Sequence, residues 1–408
     1  MTKNIFRLED LEPGTVFDTA LFTAAGLKLA DEFTVLTDER LKKLEQWGVR
    51  EVASSGAPLS SDQQQKIKEA AAESKKKLQP ASAGPSLEEK VDHSAVEEPK
   101  FYDPLDKKQV KKSYEKARAG TRKLLDKFNR EGIGGLDELE SALAPVFNSI
   151  WNYQHLLLYL MSDQRPEEEN YIYHYSLNTA LLSMIIADQL GYSQAQIRIL
   201  GMGALVHDAG MLKLPDSLRQ QEGGFSEREQ QMMQKHVNKA LRGIPGGPKF
   251  EVIKAIITQH HENYDGSGYP EGVSGEEINP FARIVNLAMT YVAMTQPRRH
   301  RRQYGVQHSI REVIYRDKQK FDPVALKGFV RIMGVYPPGS LIKISSGHRA
   351  LVMKSVSNRP LSPVVRVLTD SEGNRLEEPY RLHLSQENVT VDGILDKEKY
   401  NFQAFEVV

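Results

Sequence analysis

Between residues 104 and 333 apolar positions recur every three or four residues, the period of helices that bury one face. The spacing predicts helices over Gln109–Asn129 and Leu136–Met161, separated by Gly132, Gly134 and Gly135, with Pro145 as a kink or boundary. Further helices are expected at Tyr171–Leu190, Gln194–Asp208, Glu227–Leu241, Phe250–His261, Pro280–Thr295, His308–Tyr315 and Pro323–Met333. Strand-like alternation is nearly missing there, so residues 104–335 read as an all-α domain. The pattern differs on either side. Residues 1–60 alternate short apolar runs with turn signals such as Glu12-Pro13-Gly14, which predicts a small β-rich module with one helix over Thr37–Trp47. Residues 61–103 form a Gln, Lys, Glu and Ala-rich helical segment followed by a flexible linker, Pro80–Pro99. After Tyr336-Pro337-Pro338-Gly339, the runs Leu341–Ile344, Ala350–Met353 and Val364–Leu368 read as strands of a β tail, residues 336–408, packed on the helical domain. The expected fold class is mainly α, a helical bundle with a small β-rich module before it and a small β tail after it.

Composition narrows the chemistry. The 408 residues carry 54 Lys+Arg against 54 Asp+Glu, with 40% hydrophobic content and no cysteine. Disulfides and thiolate metal sites are thereby excluded, and a reducing cytoplasmic setting is expected. The N-terminus, MTKNIFRLED, has no apolar core and does not read as a secretory signal. The longest apolar run, Leu156–Met161, is far short of the roughly 20 residues that span a bilayer. Seven of the eleven histidines, His174, His207, His236, His260, His261, His300 and His308, fall in one stretch, which directs attention there.

Four elements of that stretch belong together: His207-Asp208, His236, His260-His261, and Asp265-Gly266-Ser267-Gly268-Tyr269-Pro270. Each alone is weak, since a single His on a helix is usually a surface or satisfied core residue. However, His207-Asp208 follows Ala204-Leu205-Val206, placing Asp208 at the buried end of a helix, where an unpaired carboxylate is costly. His260-His261 follow Ala255-Ile256-Ile257, and neighbours about 100° apart on a helix cannot both face solvent. Imidazole and carboxylate without sulfur suit Fe, Mn or Zn, and paired metal ions commonly split phosphodiesters.

In this order and spacing the motifs resemble the HD-GYP family, HD-superfamily phosphodiesterases of bacteria that hydrolyse cyclic di-GMP. The resemblance covers about Tyr171–Met333. It implies an HD-type helical bundle around a divalent metal centre, Fe or Mn foremost, with His207, Asp208, His236, His260 and His261 as metal ligands. Asp208 would be the catalytic carboxylate, and Gly268, Tyr269 and Pro270 would shape the substrate groove.

The chain also departs from the family pattern. Aligning Ser176 and Asn178 with the first core helix places Tyr175 on the family's histidine position, with the candidate His174 one residue away. Asn170 or Tyr171 replaces the glutamate of three-metal members, so no third ion is expected. Ala282-Arg283-Ile284 leads to Met289 where the family has an aspartate, and a thioether is a poor ligand for an oxygen-preferring ion. Asn286, one turn earlier, is a neutral alternative. The family's phosphate-contacting Lys is Met211 here, with Lys213 nearby. Because both departures fall on one ion of the family's pair, one or two ions are expected, the second weakly held.

Pro297–Lys320 holds eight Lys/Arg against two acids, a basic segment hidden by overall neutrality. Arg298 and Arg301 match two family arginines that contact nucleotide phosphate. The expected activity is hydrolysis of cyclic di-GMP to linear dinucleotide or GMP in second-messenger signalling. The alternative is a catalytically degenerate member that binds cyclic di-GMP or a protein partner without turnover. Other signalling proteins and a homodimer through the long helices are further expected partners; no DNA-binding motif is present.

Overall fold

The computed structural model describes residues 4–19, 21–23, 28–30, 35–46, 50–59, 102–163, 171–219, 225–296, 304–356, 359–386, 389–397, 399–400 and 402–407. The expected helical segment and linker between 61 and 101 lie outside these residues, as do Arg298, His300 and Arg301. The chain divides into two units, Met1–Phe101 and Tyr102–Val408.

In the first unit, β1 (Asn4–Arg7) pairs antiparallel with β6 (Glu51–Ser54), which pairs with β3 (Leu21–Thr23), and β3 with β4 (Lys28–Ala30). A second ribbon joins β2 (Thr15–Val16) to β5 (Val35–Leu36). Helix α1 (Asp38–Gln46) falls within the predicted Thr37–Trp47. Phe17, Leu21, Leu36 and Val52 form the buried centre, with Phe6 edge-on to Phe17.

The second unit begins with α2 (Pro104–Glu131), started by the Asp103 carboxylate accepting from Leu105 N at 2.7 Å and ended at Gly132, whose φ of 82° favours glycine. The predicted helix Leu136–Met161 is two helices, α3 (Leu136–Asn152) and α4 (Gln154–Asp163). Pro145 lies inside α3 and does not end it. The chain turns at Tyr153 instead, whose hydroxyl donates to Asp106 on α2 at 2.8 Å, so a tertiary bond sets the break.

Helix α5 (Tyr171–Gln189) runs through the centre, every residue from His174 to Ala187 being buried. Beside it lies α6 (Gln194–Val206), opened by a Ser193/Gln196 capping box. Small residues let the layers close: a Cβ on Gly201 would strike Met184 of α5, and one on Gly203 would strike Ile256. A 3₁₀ turn, Ala209–Lys213, and the single turn α7 (Asp216–Arg219) lead to α8 (Glu227–Leu241), which also begins with a capping box, Ser226/Glu229. Then come α9 (Glu251–Gln259), α10 (Pro280–Thr295), α11 (Val306–Arg311) and α12 (Pro323–Met333). The last is pinned to α10 by an Arg283–Asp322 pair at 2.7 Å, largely shielded from solvent.

The C-terminal sheet is antiparallel with order β10-β9-β8-β7-β11. Strands β7 (Leu341–Ile344), β8 (Arg349–Lys354) and β9 (Val364–Thr369) match the three apolar runs. Strands β10 (Arg375–His383) and β11 (Val391–Ile394) were not foreseen. The first is a polar edge strand with an irregular register between Arg375 and Tyr380, and the second is short, with Gly393 at its own irregularity. The sheet seats on α4, where the Tyr159 hydroxyl donates to Met353 O at 2.5 Å. The Asp163 carboxylate there binds Lys397 at 2.7 Å and the backbone N of Phe405 at 2.7 Å, holding the short helix α13 (Ala404–Val407). Among the described residues, no helix is long and apolar enough to cross a membrane.

The Asp163 side chain is only 7% exposed. Replacing it with Ala leaves the Lys397 ammonium without its carboxylate and the Phe405 N–H without its acceptor, and is expected to cost about 3–5 kcal/mol. Urea denaturation measures the loss, and limited proteolysis is expected to cut the C-terminal segment of Asp163→Ala first.

Candidate metal centre

Helix α6 ends at Val206; His207 keeps helical angles, and Asp208 leaves them at φ −102° and ψ 8° to start the 3₁₀ turn. The break swings the carboxylate towards α8 and α9. Its close approach to α8 depends on Gly210, because a Cβ there would fall on the carbonyl oxygen of His236 and 2.6 Å from Ala240 N. His236 faces Asp208 from the middle of α8, and His260-His261 follow the last residue of α9.

Three of the imidazoles are oriented in the same way. Nδ1 of His207 lies 2.7 Å from Ala204 O, Nδ1 of His236 lies 2.7 Å from Met233 O, and Nδ1 of His260 lies 2.8 Å from Ile257 O. A carbonyl can only accept, so each Nδ1 carries hydrogen and each neutral ring presents a bare Nε2 lone pair. Those lone pairs converge. Nε2 of His236 is 3.1 Å from Asp208 Oδ1 and 3.4 Å from Nε2 of His260, which is itself 3.6 Å from Oδ1. Nε2 of His207 approaches the other oxygen, Oδ2, at 3.6 Å and has no hydrogen-bond partner.

Bare acceptors facing one another in a buried site repel unless a cation lies among them. One proton on His236 is the alternative: burial opposes it, but the Asp208 carboxylate and the Met233 carbonyl raise its affinity for hydrogen. Burial would likewise raise the Asp208 carboxyl, yet the surrounding imidazoles hold it well below the usual carboxylate range. Burial holds His261 well below the ordinary imidazole value. Ligand atoms of Asp208, His236, His260 and His261 all lie within 4.8 Å of one another and could hold a metal ion. The donor set, three imidazoles and a carboxylate, fits a divalent transition metal.

His207 stands on the far side of Asp208, outside that group of four. Burial lowers it to about 4. Its ring meets His260 edge-on at 5.0 Å and Tyr175 at 5.6 Å. Tyr175 is stacked on Tyr171, and its hydroxyl donates to the backbone carbonyl of Met289 at 3.4 Å. Tyr175 and Met289 therefore touch each other, with the Tyr175 ring beside His207. His174 is buried among α5 neighbours with its Nδ1 unpartnered, lowered to about 4 first by burial and then by the charge of Arg118 on α2. It is not in the ligand cluster. Asn286 donates from Nδ2 to His260 O at 3.0 Å, bracing the double histidine. The Lys213 ammonium sits 4.8 Å over the Phe128 ring of α2.

The Gly-Tyr-Pro loop forms one wall. Tyr269 stacks on His261 at 4.5 Å and 22°, and its N–H donates to His261 O at 3.2 Å. Gly268 is pressed on the backbone of 261–263, where a Cβ would lie 2.5 Å from Glu262 Cα. Burial pushes the Tyr269 phenol well above its ordinary value. One positioning residue was missed: Glu262, 1% exposed, whose Oε1 accepts from Glu271 N at 2.7 Å and Gly272 N at 3.1 Å, clamping the loop to the double histidine. Its adjacency to His260-His261 was the available signal.

Comparison with known proteins matches residues 161–324 to the model of the HD domain. A cyclic di-GMP phosphodiesterase of Pseudomonas aeruginosa is 27% identical over 54% of this chain and 52% of its own. The cyclic di-GMP phosphodiesterase response regulator RpfG of Xanthomonas campestris is 33% identical over 36% of this chain and 39% of its own. The chain thus spans about half, or less, of the length of these curated relatives. Among solved structures, an HDG"Y"P protein from Bdellovibrio bacteriovorus aligns over 80% of this chain and 98% of its own, at TM-score 0.45 and 16% identity.

Two outcomes follow from this geometry. Gly210→Ala forces α8 away from Asp208 and is expected to cost about 1–3 kcal/mol, with metal affinity falling at least about tenfold, as read by denaturation and metal titration. In chelator, an unfolded His174 binds its proton near the ordinary imidazole value of 6.5 and the folded one only near 4. Stability from its neutral burial is whole above pH 6.5 and falls between 6.5 and 4, by up to about 1.4 kcal/mol per unit. His174→Phe is expected to narrow the stability difference between pH 7.5 and pH 4.5.

Proposed function

Since residues 161–324 belong to the HD domain family in its HD-GYP form, we propose that this chain is a metal-dependent phosphohydrolase that cleaves cyclic di-GMP. The observation that carries the reading is the convergence of bare imidazole lone pairs on the Asp208 carboxylate. A protein that served only as a scaffold would have no physical need to bury this set. The names of the relatives supply the substrate class.

A divalent ion, Fe or Mn, held by Asp208, His236, His260 and His261 would supply the positive charge that stabilises a phosphodiester under attack by water. Asp208, fixed at the end of α6 and kept ionised, would orient that water. His207 presents its bare Nε2 3.6 Å from the second oxygen of Asp208, where it would serve as a further metal ligand. The Tyr269 ring, stacked on His261, and Gly268 bound the groove in which one nucleotide lies, and Pro270 ends that wall. Arg298 and Arg301, outside the described residues, supply guanidinium groups for the phosphates, and Lys213 is a further cation near the turn.

The centre holds one ion. In support of this, Tyr175 and Met289 occupy the side of His207 where the family keeps two further ligands, and they are joined by the Tyr175 hydroxyl on Met289 O. Metal analysis of protein purified without chelator is expected to give one tightly held ion per chain; two would sink the mononuclear reading. Exchanging both plugging residues, Tyr175→His with Met289→Asp, is expected to raise the count towards two.

Incubation of the Mn- or Fe-loaded protein with cyclic di-GMP tests the activity. Hydrolysis is expected, and Asp208→Ala is expected to lower it roughly 10²–10⁴-fold. Binding without any turnover would select the catalytically degenerate alternative.

A further inference from the structure

The Gly-Tyr-Pro loop leaves the double histidine at Glu262 and comes back to it at Gly272, where a buried side chain closes the circuit. The Glu262 carboxylate, in a residue only 1% exposed, takes two successive backbone N–H groups on Oε1, Glu271 N at 2.7 Å and Gly272 N at 3.1 Å. Consecutive N–H groups aimed at one anion form a concave nest. Gly272 shapes it with φ 67°, in the left-handed region that favours glycine. Here the anion in the nest is the chain's own carboxylate.

The near half of the loop has other ties: Gly266 N donates to Asn263 O at 2.8 Å, Ser267 N to Asp265 Oδ1 at 3.0 Å, and Tyr269 N to His261 O at 3.2 Å. Pro270, Glu271 and Gly272 are exposed. Without the carboxylate, the N–H groups of Glu271 and Gly272 turn to water, so its loss releases this half of the loop rather than unpacking the core. Pro270, with its fixed φ, leaves little slack between the nest and Tyr269. The Tyr269 ring is stacked on His261 at 4.5 Å and 22°, whereas Glu262 is not among the four clustered ligands.

We propose that Glu262 is a positioning residue for substrate, which holds the Tyr269 ring against His261 and thereby sets the affinity for the nucleotide laid along that wall; this rests on the proposed function, in which the ring bounds the groove. The charge contributes, because a carboxylate accepts an N–H about twice as strongly as a neutral oxygen does. A wall that meets bound substrate and transition state alike acts on KM and leaves kcat in place.

The test uses the metal-loaded full chain and reads cyclic di-GMP hydrolysis, metal content, and hydrogen exchange of residues 268–272 by mass spectrometry. Glu262→Ala is expected to raise KM about tenfold with kcat held within about threefold. Its metal content is expected to match wild type, and its loop to exchange about tenfold faster. Glu262→Gln, which keeps an acceptor and loses the charge, is expected to fall between wild type and Glu262→Ala; where Glu262→Ala does not fold, a raised KM in Glu262→Gln carries the test. Unchanged KM, unchanged loop exchange, or a joint loss of kcat and metal shows that Glu262 serves the fold or the ligands alone and overturns the proposal. Wild-type protein that leaves cyclic di-GMP unbound and uncleaved sinks the proposed function instead; loop exchange then decides, faster exchange in Glu262→Ala sustaining the clamp and unchanged exchange overturning it.

Discussion

The rest of the helical unit is arranged around one electrostatic problem, the Asp208 carboxylate facing three imidazoles whose hydrogens are all turned away from it. Each Nδ1–H is taken by a carbonyl three residues back on its own helix. That local bond fixes the tautomer, and bare Nε2 atoms are what the core receives. Bringing them together then requires three helix segments to meet at close range. The glycines answer that requirement: Gly210 against α8 at the carboxylate, and Gly203 against α9 one turn earlier on α6. The loop behind the double histidine is tied down by Glu262 and Asn286, so the imidazoles are held from both the helix and the loop side.

The resemblance puts a histidine and an aspartate at two positions held here by Tyr175 and Met289, and in this core the Tyr175 phenol rests on the Met289 backbone carbonyl. His207 remains, fully buried and with Nε2 unpartnered, although its neighbours have changed. Its Nε2 lies 3.6 Å from Asp208 Oδ2, so a cation on that side of the carboxylate would meet both atoms.

Much of this was legible in the chain because helices and metal ligands leave periodic or clustered traces. The bounds of α8, α10 and α12 coincide with their apolar spacing, since Ser226, Asn279 and Asp322 mark their starts by capping. The four residues that could hold a metal ion, Asp208, His236, His260 and His261, are among those that the resemblance implied as ligands. What periodicity could not carry was tertiary in origin. The split at Tyr153 depends on a bond to Asp106, and β10 joins the sheet as a polar edge with little apolar alternation. His174 and Tyr175 differ by one position, which rotates their side chains by about 100° on a helix. The sequence alone could not decide which of them meets His207; the structure places Tyr175 there, and His174 lies outside the cluster that could hold a metal.

The central helix finally explains why the metal centre lies next to a cavity of about 680 Å³ between α4, α5, the end of α10 and the C-terminal sheet. Along α5, Ser176, Asn178, Thr179 and Ser183 are buried and each keeps a polar side-chain atom without a partner. A core built for stability alone would carry aliphatic residues at these positions, as its neighbours Leu177, Leu181 and Leu182 do. The polar positions form no amphipathic stripe facing water, because the helix has no exposed face between His174 and Ala187. Their cost is therefore concentrated in one element that passes from Tyr175, beside His207, to the wall of the cavity lined by Asn178 and Leu182. Unsatisfied polar groups in a well-packed interior mark places where the fold has been shaped by something other than packing.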